Sequence, residues 1–263
     1  MNSKAIIGEV SDAIASGTQI EPFSKRGISL SLQDAYTIGS KARAKLDPSQ
    51  PVGRKIGFTN RGIWEIYGVD QPIWGDMRDA SVSYHSNNTA EVSLSRFCEP
   101  RIEPEVVIGL KSAPKADATN DEVAACIDWV APGFEIVDSI YPEWSFSLED
   151  SIASGGLHGC LVVGEKVSAQ TDIEQALIDL HVGLFKNGNL SEKGTGANVL
   201  DGPVSAIRYL MGGLTRYPDQ RLLAAGDVIT TGTMTDAKPI FATENWSARF
   251  EGVIDAELNV TFT

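Results

Sequence analysis

Three glutamates offer the clearest chemistry in this 263-residue sequence. Glu103 and Glu105 lie two positions apart in Pro-Arg-Ile-Glu-Pro-Glu-Val-Val-Ile-Gly-Leu (100–110), and Glu135 follows in Gly-Phe-Glu-Ile-Val-Asp-Ser (133–139). In an extended strand, residues two apart project from the same face at a spacing of about 7 Å. Two carboxylates at that spacing repel each other and lose hydration, and a hard divalent cation relieves both costs. The pattern predicts a Mg²⁺ or Mn²⁺ site.

A second interpretation of the same residues stays open. Glu-x-Glu is common on the polar face of a solvated strand, where it binds nothing. The neighbouring runs Val106-Val107-Ile108 and Ile136-Val137 favour metal binding, because they are typical of buried strands and acids beside them are poorly hydrated. Spacing alone does not decide between the two interpretations.

Composition excludes several classes of partner and site. The net charge of −13 and the pI near 4.7 disfavour nucleic acid and anionic membranes, which require clustered Lys and Arg. The first residues lack the apolar core of a signal peptide, and no segment approaches the roughly 20 apolar residues of a membrane span. These features predict a cytoplasmic protein without a membrane partner.

The cysteines and histidines do not form a recognisable zinc or disulfide pattern. Cys98, Cys126 and Cys160 are far apart and predict structural thiols rather than a disulfide framework. His85, His158 and His181 include no His-x-x-x-His pair. A carboxylate site is therefore favoured over a histidine-based one.

The elements that must position the glutamates are mostly strands. Helical spacing of apolar residues predicts helices over 4–16 and 32–46, a strand over 52–59, and a short helix from Arg61 to Tyr67. From about residue 80 strand patterns dominate; the predicted strands are 81–85, 101–110, 133–138, 158–163, 182–187, 227–232 and two runs near 247–262. Capping signals predict further helices from Asn120 to Val130, after Thr171, and from Pro203.

This order of elements predicts the fold class. Irregularly spaced strands with scattered helices favour an α+β fold, with a large mixed sheet, over a βαβ array. We expect a small, mainly helical N-terminal segment over residues 1–75 and a metal-binding, β-rich catalytic domain over 76–263.

Five motifs in register resemble one family, the 2-keto-4-pentenoate hydratase and 4-oxalocrotonate decarboxylase branch of the fumarylacetoacetate hydrolase superfamily. The motifs are Val52-Gly-Arg-Lys-Ile-Gly-Phe-Thr59, Gly68-Val-Asp-Gln-Pro72 with Trp74-Gly75, Arg101-Ile-Glu-Pro-Glu105, Glu135-Ile-Val-Asp-Ser139 and Ala225-Gly-Asp-Val-Ile-Thr-Thr-Gly232. The resemblance implies a mixed β-sandwich roll of the fumarylacetoacetate hydrolase C-terminal type, and a divalent metal held by Glu103, Glu105 and Glu135.

The resemblance also implies an activity. Family members bind a small 2-oxo acid, and we expect a hydratase that adds water to a 2-hydroxypenta-2,4-dienoate-like acid in aromatic catabolism. A 4-oxalocrotonate-type decarboxylase, an acylpyruvate-type C–C hydrolase and a noncatalytic binding or partner subunit remain alternatives. A homo-oligomer, and association with a sister hydratase or decarboxylase, are expected on the same ground.

Two residues match catalytic positions of the family. Lys55 matches a Lys-x-Gly motif, and its ammonium would steady an enolate, or shuttle a proton if burial lowers its pKa. An ordinary surface salt bridge is the alternative. Asp79 matches an acidic position that would act as general base, but Asp76 is an alternative for that position, and either acid would also suit the cap of a turn.

Substrate contacts are expected from Thr231, Gly232 and Thr233, whose hydroxyl and N–H groups would hold a carboxylate or simply form a turn. The chain departs from the family pattern at Ile140, where Arg is usual, and at Ser154, where Asn is usual. His158 would supply a replacement donor or acid, or else pack in the core.

Two further residues near the glutamates are interpreted structurally. Asp138 is expected to be a structural acid, because along a strand it faces away from Glu135. Pro104 lacks a backbone donor and indicates a strand edge or a bulge beside the site.

Overall fold

The structure, a computed structural model, describes residues 2–67, 69–217 and 219–263, without the side chains of Ile63, Ile66 and Tyr67. Gly68, in one of the motifs quoted above, lies outside the described residues. Within these ranges the α-helices are α1 (Ser3–Ser16), α2 (Leu32–Leu46), α3 (Trp64–Tyr67), α4 (Asn120–Ala124), α5 (Leu148–Ala153), α6 (Ile173–Ile178) and α7 (Pro203–Arg216).

The strands follow the same order along the chain. They are β1 (Pro51–Gly57), β2 (Ile73–Arg78), β3 (Val82–Tyr84), β4 (Thr89–Val92), β5 (Pro100–Leu110), β6 (Ile127–Asp138), β7 (His158–Val163), β8 (Val167–Ser168), β9 (His181–Lys186), β10 (Asn189–Thr195), β11 (Val228–Thr233), β12 (Lys238–Pro239), β13 (Asn245–Glu251) and β14 (Ala256–Phe262). Short 3₁₀ turns lie at Arg61–Ile63, Asp79–Ser81, Pro142–Trp144 and Gly196–Asn198.

Among the described residues the strands form two sheets. The larger has nine strands, in the order β2-β1-β11-β5-β6-β7-β3, with β12 beside β5 and β8 beside β6. The smaller has five strands, in the order β10-β9-β13-β14-β4. Both parallel and antiparallel pairs occur, as between β1 and β11 and between β5 and β6. The predicted α+β fold with a mixed sheet structure and N-terminal helices is confirmed.

The two N-terminal helices form where the apolar spacing predicts. The Asn2 side chain accepts the Lys4 N–H, and Ser31 accepts the Asp34 N–H, so each helix begins with a satisfied backbone donor. Each helix buries one apolar stripe against the core; the stripes are Ile6, Val10 and Ala13 in α1 and Ala35, Ile38 and Ala42 in α2.

Strands β5 and β6 form the centre of the larger sheet. They are antiparallel over almost their whole lengths, and β11 and β7 flank them on the outer sides. Their central residues are buried, which explains the continuous apolar runs of Val106-Val107-Ile108 and Ile136-Val137. The register pairs Glu103 with Glu135.

The end of one expected helix differs from the structure. The helix beginning at Asn120 ends at Ala124 instead of reaching Val130, because Ile127 already begins β6. Its predicted start is confirmed by a capping box between Thr119 and Glu122.

The predicted boundary at residues 75 and 76 falls inside β2, and β1 pairs with β11 in the same sheet. The division into two units therefore stays a prediction. The larger sheet contains strands from both sides of the predicted boundary. None of the helices in the described ranges is long and apolar enough to cross a membrane.

Candidate active site

The structure brings Glu103, Glu105 and Glu135 together. One carboxylate oxygen from each lies within 4.8 Å of the others, and the group is largely buried. The cause is the strand register: Glu103 is directly opposite Glu135, and Glu105 is two residues further along the same face of β5. Three acids separated in sequence therefore form one cluster of hard oxygen donors.

Strand β11 positions Glu105. Its register against β5 shifts between Thr230 and Thr233, and the irregular backbone aims the Gly232 N–H at Glu105 Oε2, 2.7 Å away. The Thr230 hydroxyl also donates to this oxygen. The other oxygen, Oε1, is buried and has no hydrogen-bond partner among the described residues. A buried carboxylate oxygen without a partner fits a cation.

Glu135 is fixed by a lysine and a histidine. Lys55 Nζ lies 3.2 Å from Oε2, and His158 Nδ1 lies 2.8 Å from Oε1. The second imidazole nitrogen, Nε2, is 2.9 Å from the Ser81 hydroxyl. All these groups except Ser81 are buried, so the orientation of Glu135 is strongly constrained.

The electrostatics of the three acids differ. Burial, reinforced by the charge of Glu135, raises the pKa of Glu103 to about 7. Burial and the two neighbouring carboxylates also raise the pKa of Glu105 well above its usual value. Burial acts the same way on Glu135, but Lys55 and the bond from His158 outweigh it and hold its pKa below the usual value. Two of the three acids therefore resist ionisation without a compensating positive charge.

Lys55 remains a charged ammonium. Burial alone would lower its pKa, but the three glutamates outweigh burial and raise the pKa above its ordinary value. The proton-shuttle alternative, which required burial to lower the pKa of Lys55, is therefore not favoured, and the alternative of steadying an enolate stays a prediction. The surface salt bridge considered as an alternative is wrong, because only 3% of Lys55 is exposed.

A cleft of about 480 Å³ opens onto this cluster. Of the predicted site residues, Lys55, Glu103, Gly232 and Thr233 line it. Its remaining wall is partly aromatic and partly charged; these residues include Phe58, Trp144, Phe146, Arg101, Asp236 and Lys238. The arrangement suits a small, planar acid with one end at the glutamates.

Other predicted residues lie outside this cleft. Asp79 is exposed on the 3₁₀ turn Asp79–Ser81. Asp76, the alternative acid, is buried and pairs with Arg54 at 2.5 Å. The Thr231 hydroxyl is buried and donates to the Val106 carbonyl oxygen at 3.0 Å. The geometry therefore does not support direct roles in the cleft for these residues.

His158 also has both ring nitrogens occupied within the protein, and burial lowers its pKa, so the ring is neutral. It lines a second cavity of about 270 Å³, together with Ile140 and Ser154, the two departures from the family pattern. Contact with Glu135 favours a positioning role for His158 over the substrate contact that we predicted.

The structural interpretation of Asp138 agrees with the geometry, because its carboxylate accepts the N–H groups of Cys98 and Glu99. The edge position suggested by Pro104 is wrong, since β5 lies between β11 and β6. The bulge alternative is confirmed, but the irregularity lies on the neighbouring strand β11.

Sequence reasoning missed three residues of the site: Thr230, Arg101 and Trp144. Thr230 sits beside residues that we predicted, in Thr230-Thr231-Gly232-Thr233, so the motif pointed to the segment but not to the hydroxyl that turns inward. Arg101 was visible in the same alternating pattern as Glu103 and Glu105. Nothing local marked Trp144.

The chain is similar to a known family and to curated members of it. Residues 77–259 match the family described as fumarylacetoacetate (FAA) hydrolase C-terminal. A 2-hydroxypent-2,4-dienoate hydratase of Pseudomonas putida is 30% identical over 221 residues, which cover 81% of this chain and 98% of that protein. A 4-oxalocrotonate decarboxylase of the same species is 28% identical over 227 residues, or 85% of this chain and 83% of that protein.

A solved structure is similar over almost the whole chain. It is 4-oxalocrotonate decarboxylase from Pseudomonas putida G7, complexed with magnesium and adipate. The match has a TM-score of 0.90 and 25% sequence identity, and covers 99% of this chain and 97% of that one.

Proposed function

The chain belongs to the fumarylacetoacetate hydrolase family, and on that premise we propose that it is a divalent-metal-dependent lyase of 2-hydroxy-dienoate or 2-oxo-alkenoate acids. The observation that carries the proposal is the convergence of Glu103, Glu105 and Glu135, together with a cleft that Glu103 and Lys55 line. Water addition to a 2-hydroxypenta-2,4-dienoate-like acid, in aromatic catabolism, is the preferred reaction.

The three glutamates would hold the cation, Mg²⁺ or Mn²⁺. Carboxylate oxygens are the ligands that these ions prefer, and Glu105 Oε1 lacks any other partner in the described chain. When bound, such a cation supplies a Lewis acid for the carboxylate and 2-oxygen of a 2-oxo acid. The solved decarboxylase complex with magnesium supports this assignment.

Lys55 would stabilise negative charge that develops on the substrate. In hydration, the dienol ketonises to a conjugated 2-oxo acid, and water adds to the remote alkene carbon while charge moves onto the 2-oxygen. The Lys55 ammonium is buried and faces the cleft, where a fixed positive charge acts strongly because little water screens it.

Strand β11 contributes positioning. The Gly232 N–H and the Thr230 hydroxyl keep Glu105 in place, and Thr233 forms part of the cleft wall. The general-base role of Asp79 and the substrate contacts of Thr231 and His158 stay predictions, and their positions in the structure do not favour them.

The preferred reaction is hydration, because the hydratase relative is matched over 98% of its length at 30% identity. Decarboxylation is the second candidate, since the similar solved structure is a decarboxylase. Acylpyruvate cleavage and a noncatalytic partner role are alternatives with less support. A homo-oligomer, association with a sister enzyme and a cytoplasmic location also stay predictions.

A substrate panel tests the proposal directly. The protein is incubated with Mg²⁺ or Mn²⁺ and 2-hydroxypenta-2,4-dienoate, 2-oxohexenedioate or an acylpyruvate, while absorbance and CO₂ are followed. Loss of dienoate without gas supports the hydratase, and gas from the second acid supports the decarboxylase. Cleavage of the acylpyruvate alone, or metal binding with no turnover, would contradict the proposed lyase.

A substitution tests the metal ligands. We expect Glu105→Gln to reduce metal-dependent turnover by at least about 100-fold, since an amide oxygen is a weak ligand for these ions. The fold should persist, because Gln can still accept the Gly232 N–H. Glu251→Gln, at an exposed strand end, is the matched control. Full activity of Glu105→Gln would refute the assigned ligand.

A further inference from the structure

We propose that the cavity of about 270 Å³ beside His158 binds a second small ligand, a carboxylate that carries a short apolar chain. This cavity is separate from the cleft at the three glutamates, because none of the described residues that line the one also lines the other. Binding in the cavity is therefore independent of the lyase activity proposed for the cleft.

Two of the three arginines that line the cavity lack a carboxylate partner. Arg43 donates to the carbonyl oxygens of Ser154, at 3.2 Å, and of His158. The guanidinium carbon of Arg96 lies over the Phe97 ring, 5.4 Å from its centroid. Within the part of the chain that the structure describes, no ion pair joins either arginine to an acid.

The acids of the cavity wall already have other partners. Asp76 pairs with Arg54 at 2.5 Å, and the third arginine of the wall, Arg78, lies 3.9 Å from the same acid. Asp138 and Asp47 each accept two backbone N–H groups. The charges of the two remaining arginines are thus left for an incoming anion, which a partly buried cation requires as a partner.

Arg43 is held rigidly where such an anion would bind. Only 9% of the residue is exposed, and an added Cβ on Gly155 would lie 2.5 Å from its Nε, so the Gly155 backbone packs against the guanidinium. Nη2 makes both carbonyl contacts, whereas Nη1 has no hydrogen-bond partner among the described residues. Burial lowers the pKa of Arg43 to about 10, and the charge of Arg96 acts in the same direction. An anion close to both guanidinium groups would offset these two effects.

Apolar side chains form another part of the wall. Ile140 is buried, whereas Leu46 is 37% exposed, so the cavity has an apolar lining that reaches the surface. The apolar lining consists of Ile14, Ala15, Leu46, Phe97 and Ile140. A short alkyl chain would bury its surface there, which phosphate cannot do. At roughly 30 Å³ for each water-sized group, the cavity accommodates an acid of about six carbons.

Calorimetry on the metal-free protein, at constant ionic strength, tests the ligand class with hexanoate, hexanamide and phosphate. Hexanamide lacks the charge, and phosphate lacks the chain. Hexanoate should bind at least roughly tenfold more tightly than either, because it alone combines a charge-assisted hydrogen bond with a buried chain. Absence of hexanoate binding up to about 10 mM, or equal binding of hexanamide or phosphate, would overturn the proposal.

Substitutions locate the bound hexanoate. Arg96→Gln, at an exposed position, should weaken its binding at least roughly fivefold, and Arg96→Lys should retain part of the affinity. Leu46→Gln should also weaken it, through the lost apolar contact. Arg249→Gln is the matched control, because Arg249 is likewise exposed and lies over an aromatic ring, Phe185, but belongs to the smaller sheet.

A competition experiment separates the cavity from the cleft. The affinity for hexanoate should stay the same when Mn²⁺ and oxalate are added together, since these would occupy the cleft at the three glutamates. Loss of hexanoate binding under these conditions, or unchanged binding in both Arg96→Gln and Leu46→Gln, would show that hexanoate does not bind in the cavity beside His158.

Discussion

At the scale of single residues, His158 connects the candidate metal centre to the protein around it. Its Nδ1 bonds Glu135, its Nε2 bonds Ser81, and its carbonyl oxygen accepts from Arg43. A neutral imidazole in this position orients a carboxylate without adding charge to the centre. The sequence placed His158 near the site but could not show which atom it would contact.

Replacing this histidine should weaken metal binding without removing a ligand. We expect His158→Leu to lower Mn²⁺ affinity by about 10- to 100-fold, the usual effect of losing an outer hydrogen bond to a ligand. His158→Asn should recover part of the affinity, because its amide can donate from a similar position. Calorimetric titration measures both, with His85→Leu as the control. Unchanged affinity in His158→Leu would show that Glu135 does not depend on it.

The raised pKa values predict how metal affinity varies with pH. Because the pKa of Glu103 is about 7 and that of Glu105 is also raised, the metal-free centre holds protons that a cation must displace. We therefore expect Mn²⁺ affinity to rise between pH 6 and pH 8, with proton release on binding. Titrations in buffers of different ionisation enthalpy measure the protons released. A pH-independent affinity would contradict the prediction.

The stability of the metal-free protein depends on pH in the opposite direction to the metal affinity. A carboxyl group whose pKa rises from 4.5 to about 7 on folding binds more protons in the folded state between these values. Its contribution to the stability of the metal-free protein therefore falls as pH rises through this interval. Glu103→Gln should remove that part of the pH dependence, which chemical denaturation at several pH values measures.

At the scale of elements, the irregular stretch of β11 determines the position of Glu105. Gly232 has a φ of 105°, and an added Cβ would overlap the Thr59 side chain. The same glycine donates its N–H to Glu105. Gly232 therefore has a positive φ, lies close to the Thr59 side chain and binds the candidate ligand Glu105.

Gly232→Ala should consequently affect both stability and metal binding. Gly226→Ala is a matched control, because Gly226 has a φ of 87° but no atom within 4 Å of an added Cβ. We expect about 1 kcal/mol of destabilisation for the control and clearly more for Gly232→Ala, where overlap adds to the backbone strain. Only Gly232→Ala should weaken Mn²⁺ binding. Equal effects of the two changes, measured by denaturation and calorimetry, would contradict this account of β11.

Local sequence patterns predicted the positions of helices and strands better than they predicted which strands pair with each other. Caps and apolar spacing identify α1, α2 and the start of α4, because these signals lie within a few residues. The end of α4 was missed because Ile127 joins a strand that is stabilised by distant partners. The pairing of Glu103 with Glu135 and the inward turn of Thr230 likewise depend on register between strands, which a single sequence does not encode locally.

At the scale of the whole molecule, the resemblance predicted the architecture, and the caps and strand patterns agree with it. The same resemblance gave weaker guidance on Asp79, which the structure leaves exposed and outside the cleft. The alignment of that motif with the family is ambiguous, because Asp76 and Asp79 are both acidic and lie three residues apart. Family-level similarity therefore predicted which segments form the candidate site, whereas individual roles depend on which side chains turn inward.

The proposed metal should also stabilise the whole fold. Its ligands lie on β5 and β6, the central strands of the larger sheet, and that arrangement exists only in the folded state. A ligand at about 100 times its Kd stabilises the folded state by about 2.7 kcal/mol. For a chain of this size, this corresponds to a rise in Tm of roughly 5–10 °C.

Thermal unfolding with and without Mn²⁺ measures this effect, and chelator should reverse it. The net charge of −13 means that any cation also relieves general repulsion, so each comparison is made at equal ionic strength with K⁺. Glu105→Gln should lose most of the Mn²⁺-dependent rise, because the site then lacks one anionic ligand. If the wild-type protein and this variant gain the same Tm from Mn²⁺, the ion stabilises the surface in general, and the three glutamates are not its site.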